Sequence, residues 1–150
     1  QTMLENEPYF KLPYPKSTGT DYFNPDWMNA FLNPDYLAQD VQATLVELTV
    51  SSIAREINQL PAFVDECFVC GGGAHNEYLM NRLQLNLTGR RVYNTSHLGL
   101  DPDYVEAAAF AWLARQSVNH HYGNLPSVTH ASAEAVLGGI YAGSPISDKT

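Results

Sequence analysis

The sequence predicts an α/β fold with few strands, since helical and extended patterns alternate along its 150 residues. Three observations support this. Apolar residues recur every three or four positions from Asp40 to Leu60, an apolar run over residues 66–70 ends in three glycines, and an almost wholly apolar helix is expected over residues 102–118. A second extended segment, 91–94, completes the alternation and indicates an α/β layer.

About four helices are expected. Residues 24–60 are predicted to be helical, and the starts at Asn24 and Asn33 share one design, in which Asn caps, Pro takes the first helical position and Asp complements the dipole. A third such start lies at Asp101. Residues 1–23 contain three prolines among aromatic residues, and they are predicted to form a loop-rich lead-in.

The predicted sheet has only two or three strands, which leaves an open edge that whole domains avoid. We therefore expect residues 1–150 to form a single unit that is a piece of a larger fold. Residues 66–118 are its α/β region, and residues 119–150 are a loop and C-terminal tail, in which 135–141 form either a strand or a docked tail.

The turn formed by Gly71, Gly72 and Gly73 is the leading candidate site. Glycine reaches positive φ at low cost and lets a ligand approach the main chain. A helix predicted from Asn76 to Leu87, with Asn76 as its cap, presents free N–H groups and a positive dipole end that suit a nucleotide. A plain tight turn is an equally good interpretation, because the spacing G-x-G-x-x-G is absent.

Glu106 is the only charged residue between Tyr104 and Ala114 in the apolar helix. A helix without a polar face is expected to be central and packed on several sides. Burying an unpaired carboxylate costs on the order of several kcal/mol. Glu106 is therefore either a surface group that compensates the helix dipole or a functional carboxylate facing a cleft.

Composition excludes several classes of protein. A net charge of −8 with eight scattered basic residues argues against nucleic-acid binding. With 45% apolar and 16% charged residues the chain is not disordered, and its apolar runs are too short to cross a bilayer. No basic segment followed by an apolar one opens the chain, so a cytoplasmic location is expected, although a start at Gln1 suggests that the natural N-terminus is missing.

The cysteines are predicted to be structural and the histidines to be incidental. Cys67 and Cys70 form a C-x-x-C inside the apolar run, without a second pair or histidines at ligand spacing, so we expect buried thiols. The histidines show no i, i+4 pairing on one helix face, and no metal site is expected; they are His75, His97, His120, His121 and His130. Lys16 lies in a Pro-Lys-Ser-Thr-Gly segment that is either a surface turn or an anion contact.

Taken together, these segments resemble the C-terminal part of the anhydro-N-acetylmuramic acid kinases. The resemblance covers residues 8–141, and each motif is weak alone, but the ordered set is specific. Its motifs are Pro15-Lys16-Ser17-Thr18-Gly19 with Phe23-Asn24, Asp40-Val41-Gln42-Ala43-Thr44-Leu45, Val69-Cys70-Gly71-Gly72-Gly73 with Asn76 and Leu79-Met80, Val105-Glu106-Ala107 with Phe110-Ala111-Trp112-Leu113-Ala114, and Gly123-Asn124-Leu125-Pro126-Ser127-Val128-Thr129 with Ala131-Ser132 and Val136-Leu137-Gly138.

The resemblance implies a partial ribonuclease H-like fold, the C-terminal domain of a two-domain sugar kinase of the actin-like ATPase type. Such a kinase uses ATP and Mg²⁺ to open the 1,6-anhydro bond of the sugar with water while phosphorylating O6, in cell-wall recycling. Its substrates are a small sugar and ATP, and no nucleic acid or membrane partner is implied. A homodimer remains possible, because a second copy would cover the open sheet edge.

The resemblance also assigns residues. Gly71, Gly72 and Gly73 become the adenosine-side turn, Asn76 caps the helix beside it, and Glu106 helps to position the sugar. It places no catalytic residue or metal ligand in this chain, because the aspartate base is expected upstream, so the chain alone is expected to lack kinase activity. The sequence departs from the family pattern in two places, Thr20 after the Lys-Ser-Thr-Gly motif and His130 after Val128-Thr129.

Two other functions stay open on the sequence alone. One is a noncatalytic nucleotide-binding or scaffolding module that has kept the glycine turn. The other is a kinase for a different sugar, since the groups that select the sugar are expected elsewhere.

Overall fold

The computed structural model describes residues 2–129, 131–141 and 143, and the departure at His130 lies outside them. Within these ranges the helices are α1 (Thr2–Asn6), α2 (Pro25–Asn29), α3 (Ala38–Asn58), α4 (Glu77–Asn86), α5 (Val105–Val118) and α6 (Pro126–Thr129), and the strands are β1 (Glu66–Val69) and β2 (Arg91–Asn94). Short 3₁₀ turns occupy Pro8–Lys11, Gly72–His75, Thr95–Leu98 and Pro102–Tyr104. The predicted α/β class with few strands is confirmed, with two short helices, α1 and α6, beyond the four expected.

The two strands pair in parallel, with Glu66 opposite Arg91 and Val69 opposite Asn94. A parallel pair needs a crossover, which α4 provides. Both strands therefore end at the same edge of the sheet. Within the described ranges no third strand joins either side, so the expected open edge is present.

The core lies where α3 packs on α4, the closest helix pair in the fold. Among the described residues, the fully buried side chains are Val50 of α3, Leu83 of α4 and Leu87 just beyond it. Arg82 and Tyr78 of α4 close the rim of this contact by donating to the Glu47 carboxylate of α3, with an Arg82 Nη2 to Glu47 Oε2 distance of 2.9 Å. The Arg82 hydrogen bond in particular lowers the pKa of Glu47, although partial burial opposes it.

The lead-in is more ordered than the sequence predicts. It begins with α1 and a 3₁₀ turn, and it is held by Glu7, whose residue is only 7% exposed. The Glu7 carboxylate accepts hydrogen bonds from Tyr22 Oη, from Trp27 Nε1 at 2.7 Å and from the Tyr9 amide at 3.1 Å. Burial alone would raise the pKa of Glu7, but the three hydrogen bonds outweigh it and leave that pKa below its ordinary value.

Lys16 is also engaged within the fold. Its ammonium donates to Glu56 Oε1 at 2.6 Å and to the Leu12 carbonyl at 3.2 Å, and it lies 5.4 Å from the centre of the Tyr9 ring. The side chain is 12% exposed. Since its charge is already paired, Lys16 fastens the lead-in to α3, and the anion contact finds no support here.

The three Asn/Asp-Pro-Asp starts behave differently. Asn24 caps α2 by accepting from the Trp27 amide at 2.9 Å, as predicted. Asn33 was expected to start a helix, which is wrong: its side chain accepts from the Asp35 amide at 3.0 Å and closes a turn, while α3 starts later without a side-chain cap. Asp101 opens a 3₁₀ turn that leads into α5.

The expectation that the 102–118 helix is packed on several sides is wrong for this chain. None of the residues of α5 is buried, and Phe110 and Trp112 are 63% and 50% exposed. The tail docks on one side of α5 without forming a strand over residues 135–141, and Leu137 and Ile140 line a groove there with α5 side chains. The apolar composition of α5 thus lacks matching partners in the described residues.

The prediction of buried thiols is met in part by Cys67 and is wrong for Cys70. Cys67 is partly buried in β1, and burial raises the pKa of its thiol. Cys70 is exposed, because β1 ends at Val69 and the chain then turns outward. In the described residues no helix is both long and apolar enough to cross a membrane.

We predict that Leu83→Ala lowers the free energy of unfolding by about 2–5 kcal/mol, because it leaves a cavity between α3 and α4. Leu85→Ala on the same helix is the matched control, since Leu85 is 67% exposed, and it should change stability by less than about 0.5 kcal/mol. Urea unfolding followed by circular dichroism measures both. Equal losses would contradict the assigned core.

We predict that Glu7→Gln lowers the free energy of unfolding at neutral pH by about 1–3 kcal/mol, because an amide cannot replace a carboxylate that accepts three hydrogen bonds. The folded-state pKa of Glu7 is lowered from about 4.5, so its contribution is complete above that value and is lost as the pH falls through the lowered pKa. The difference between wild type and variant in urea unfolding should therefore shrink in acid. Glu134→Gln, at an exposed position, is the control, and a difference that grows in acid would refute the assignment.

Candidate functional site

The glycine turn lies at the carboxyl end of β1, where ligands bind to parallel sheets. Gly71 has φ 71° and ψ −170°, a conformation essentially reserved for glycine. Its amide donates to the Pro102 carbonyl at 2.9 Å. A 3₁₀ turn over Gly72–His75 leads from Gly71 to Asn76, and the helix predicted over residues 76–87 is present as α4.

Asn76 caps α4, as predicted. It has extended backbone, and its Oδ1 accepts from the Leu79 amide at 3.0 Å. Glu77 follows in the first turn, where a carboxylate complements the positive end of the helix dipole. Asn76 therefore fixes the start of α4 directly beside the glycine turn.

The glycine turn faces open space. A Cβ added at Gly71, Gly72 or Gly73 would meet no heavy atom of the described chain within 4 Å. Gly71 is required by its positive φ, as is Gly89 in the turn before β2 at φ 79°. Gly72 and Gly73 are required by neither conformation nor packing, so the chain itself does not explain why they lack side chains.

The Pro102–Tyr104 turn contacts the glycine turn and forms the second wall of the candidate site. Besides the Gly71 hydrogen bond, His75 Nε2 lies 2.7 Å from Asp103 Oδ1. The hydrogen bond to Asp103, and then its charge, raise the pKa of His75 above its ordinary value. The interpretation of His75 as incidental is therefore wrong, since it links two segments 28 residues apart.

Glu106 lies in the first turn of α5, directly after this second wall, and it is exposed. That position fits the compensation of the helix dipole. Pro102 and Asp103 thus connect the glycine turn to the start of α5, the helix that carries Glu106. The Glu106 side chain is not buried in a cleft of this chain.

Sequence reasoning missed an aromatic stack beside the site. Tyr93 of β2 and His97 stack with ring centres 4.1 Å apart, and Phe68 of β1 lies against Tyr93 at 5.8 Å. The parallel register places Phe68 opposite Tyr93, so pairing the two predicted strands would have found it. In the described residues no group of three or more His, Cys, Asp or Glu is placed to hold a metal ion.

An apolar cavity of about 230 Å³ lies elsewhere, between α1, α2 and α3, with Met3, Phe31 and Val41 among its lining residues. It shares no residue with the glycine turn. Most of its lining residues are apolar and its one charged residue is the acidic Asp40, so it suits a packing partner better than a phosphorylated ligand.

Comparison with known proteins agrees with the ordered motifs. The family model for anhydro-N-acetylmuramic acid kinase matches residues 1–143. Curated proteins of that name are 51% identical over 138 residues in Nitrosomonas europaea, 53% over 141 residues in Pasteurella multocida and 50% over 134 residues in Nitrosospira multiformis. These matches cover 92%, 92% and 89% of this chain.

The same matches cover only 38%, 37% and 37% of the relatives. The chain therefore spans little more than a third of the length of the curated relatives it matches. Both the extent of the family match and the level of identity are far above what a shared fold alone requires. The chain belongs to the anhydro-N-acetylmuramic acid kinase family.

Proposed function

We propose that this chain forms the nucleotide side of an anhydro-N-acetylmuramic acid kinase. The whole enzyme would phosphorylate 1,6-anhydro-N-acetylmuramic acid with ATP and open its anhydro bond with water, in cytoplasmic cell-wall recycling. The observation that carries the proposal is the bare main chain at Gly72 and Gly73, at the carboxyl end of β1, which the fold of the chain does not require.

The residues present fit the adenosine end of ATP. The open space over Gly71, Gly72 and Gly73 would let a flat base and ribose lie against main chain without meeting a Cβ. The capped start of α4 at Asn76 adds a fixed helix terminus to the same corner. In an actin-like or ribonuclease H-like domain, which we propose for the whole protein, this corner would form one wall of the cleft.

ATP supplies the phosphoryl group, and Mg²⁺ would accompany it. We assign no magnesium ligand and no catalytic base to this chain; the base, an aspartate, would belong to another part of the enzyme. Phosphoryl transfer needs positioned phosphates, a metal and an oriented nucleophile. The chain alone would therefore bind nucleotide without turning it over.

Glu106 is proposed to serve the sugar side. It is exposed in the first turn of α5, directly after the segment that holds the glycine turn. A carboxylate there would accept hydrogen bonds from sugar hydroxyl groups across the cleft.

The exposed apolar surface of α5 supports the proposal that this chain is part of a longer, two-domain polypeptide. Phe110 and Trp112 lie on different sides of α5, about 200° apart at 100° per residue, and both are at least half exposed. A single flat partner would cover only one of them. The part of the family polypeptide that this chain does not span would cover α5. It would also cover the open sheet edge beside β1 and β2.

We predict that Gly72→Val abolishes ATP binding and leaves stability unchanged, because the new side chain enters the space proposed for the nucleotide, and its Cβ meets no heavy atom of the described chain within 4 Å. Isothermal titration measures the affinity, and urea unfolding measures the stability.

Gly89→Ala is the crossed control for Gly72→Val. Gly89 precedes β2 at the opposite end of the sheet and has φ 79°, so alanine there should cost about 1–2 kcal/mol of stability and leave ATP affinity unchanged. Undiminished ATP binding by Gly72→Val would refute the assignment of the glycine turn.

We predict that an antibody raised against this chain detects, in the source cells, a polypeptide roughly 2.6 times the length of the matched segment, because that segment is 38% of a relative. In that polypeptide Trp112 should be shielded from acrylamide, whereas in the isolated chain it should be quenched readily. Trp27→Phe removes the other tryptophan signal. Detection of only a 16.6 kDa protein would contradict the proposal that α5 is covered by the rest of a longer polypeptide.

A further inference from the structure

We propose that His75 is a positioning residue, whose ion pair with Asp103 clamps the glycine turn against the start of α5. The inference rests on the nucleotide site proposed above and deepens it. It concerns how the glycine main chain is held in place, which the three glycines cannot do by themselves.

The clamp has two ends. At the first residue of the turn, the Gly71 amide donates to the Pro102 carbonyl at 2.9 Å. At the last residue of the 3₁₀ turn, His75 Nε2 meets Asp103 Oδ1 at 2.7 Å. Gly72 and Gly73 lie between these two anchors, and glycine main chain loses more conformational freedom on ordering than any other.

Both anchors belong to one short, ordered segment. Pro102 is buried, and Asp101 Oδ1 accepts from the Asp103 amide at 2.9 Å, which fixes the backbone that carries the Asp103 carboxylate. The same segment starts α5. Contacts with two adjacent residues, 102 and 103, therefore fix the position of the glycine turn relative to α5.

Charge strengthens the clamp. The carboxylates of Asp101 and Asp103 act on His75 from the second wall, and both favour the imidazolium; Glu77, on the side of the glycine turn, adds a further negative charge close in sequence. Because the pKa of His75 is raised in the folded chain, the ion pair is complete below the ordinary histidine value and weakens as the pH rises through the raised value.

The effect on binding is modest. The side chains of His75 and Asp103 are 61% and 58% exposed, and exposed ion pairs contribute little to stability. We therefore expect loss of the clamp to weaken ATP binding about two- to fivefold, as a loosened turn must be ordered again by the ligand.

The experiment measures ATP affinity by isothermal titration at slightly acidic and slightly alkaline pH. His75→Gln and Asp103→Asn should each weaken binding at the acidic pH, and the double variant should be no weaker than either. His75→Arg, with a permanent cation, should keep wild-type affinity and lose the pH dependence. His121→Gln, at an exposed histidine beyond α5, is the control and should bind ATP with wild-type affinity at both pH values.

A second measurement does not depend on nucleotide. In NMR titrations, Asp103→Asn should lower the pKa of His75, and the Gly71 amide should exchange faster in both clamp variants than in wild type. If wild type binds ATP and the clamp variants bind it equally well, the positioning role of His75 is refuted and the nucleotide site stands. If wild type does not bind ATP, the proposed function fails, and an unchanged Gly71 exchange rate would overturn the clamp as well, whereas faster exchange would support it.

Discussion

The parallel pairing of β1 with β2 is the constraint on which the rest of the structure depends. Parallel strands cannot be joined by a tight turn, so the chain must cross over, and α4 is that crossover. A crossover helix must bury one face against another element; α4 packs on α3, and Leu83 of α4 is fully buried. The same pairing brings both strand ends to one edge, where the glycine turn and the Tyr93 stack lie together. The position of the candidate site thus follows from the strand pairing.

Local signals in the sequence predicted the elements that local chemistry determines. The second strand was predicted with the observed bounds, and the Asn76 cap was correct, because a cap needs only its own side chain and the amides that follow. Asn33 shows the limit of the same reasoning. Its side chain can close a turn or cap a helix with nearly the same hydrogen bond, and the following residues, not the cap, decide which of these forms.

Long-range contacts could not be predicted from the sequence in this way. The burial of Glu7 depends on Tyr22 and Trp27, which are 15 and 20 residues away, and nothing in the sequence around Glu7 indicates this partnership. The pairing of His75 with Asp103 likewise depends on how the 3₁₀ turn after β1 meets the start of α5. The apolar run predicts a strand that continues to Cys70, whereas β1 ends one residue earlier at Val69, and Cys70 is therefore exposed.

The exposure of α5 separates hydrophobic composition from burial. An apolar helix is driven out of water, but the driving force is realised only where there is a complementary surface. Here the docked tail covers one side, and Phe110 and Trp112 remain open. Exposed apolar surface of this extent is usual at an interaction site and costly elsewhere. In the longer polypeptide that we propose, of which this chain would span about 38%, the remaining surface would cover the helix and remove that cost. The glycine turn likewise has open space beside it that no described residue of the chain fills. A position that neither backbone conformation nor internal packing restricts to glycine would accept a side chain without loss of stability. The proposed nucleotide would account for the absence of side chains at Gly72 and Gly73, which the fold of the chain does not explain.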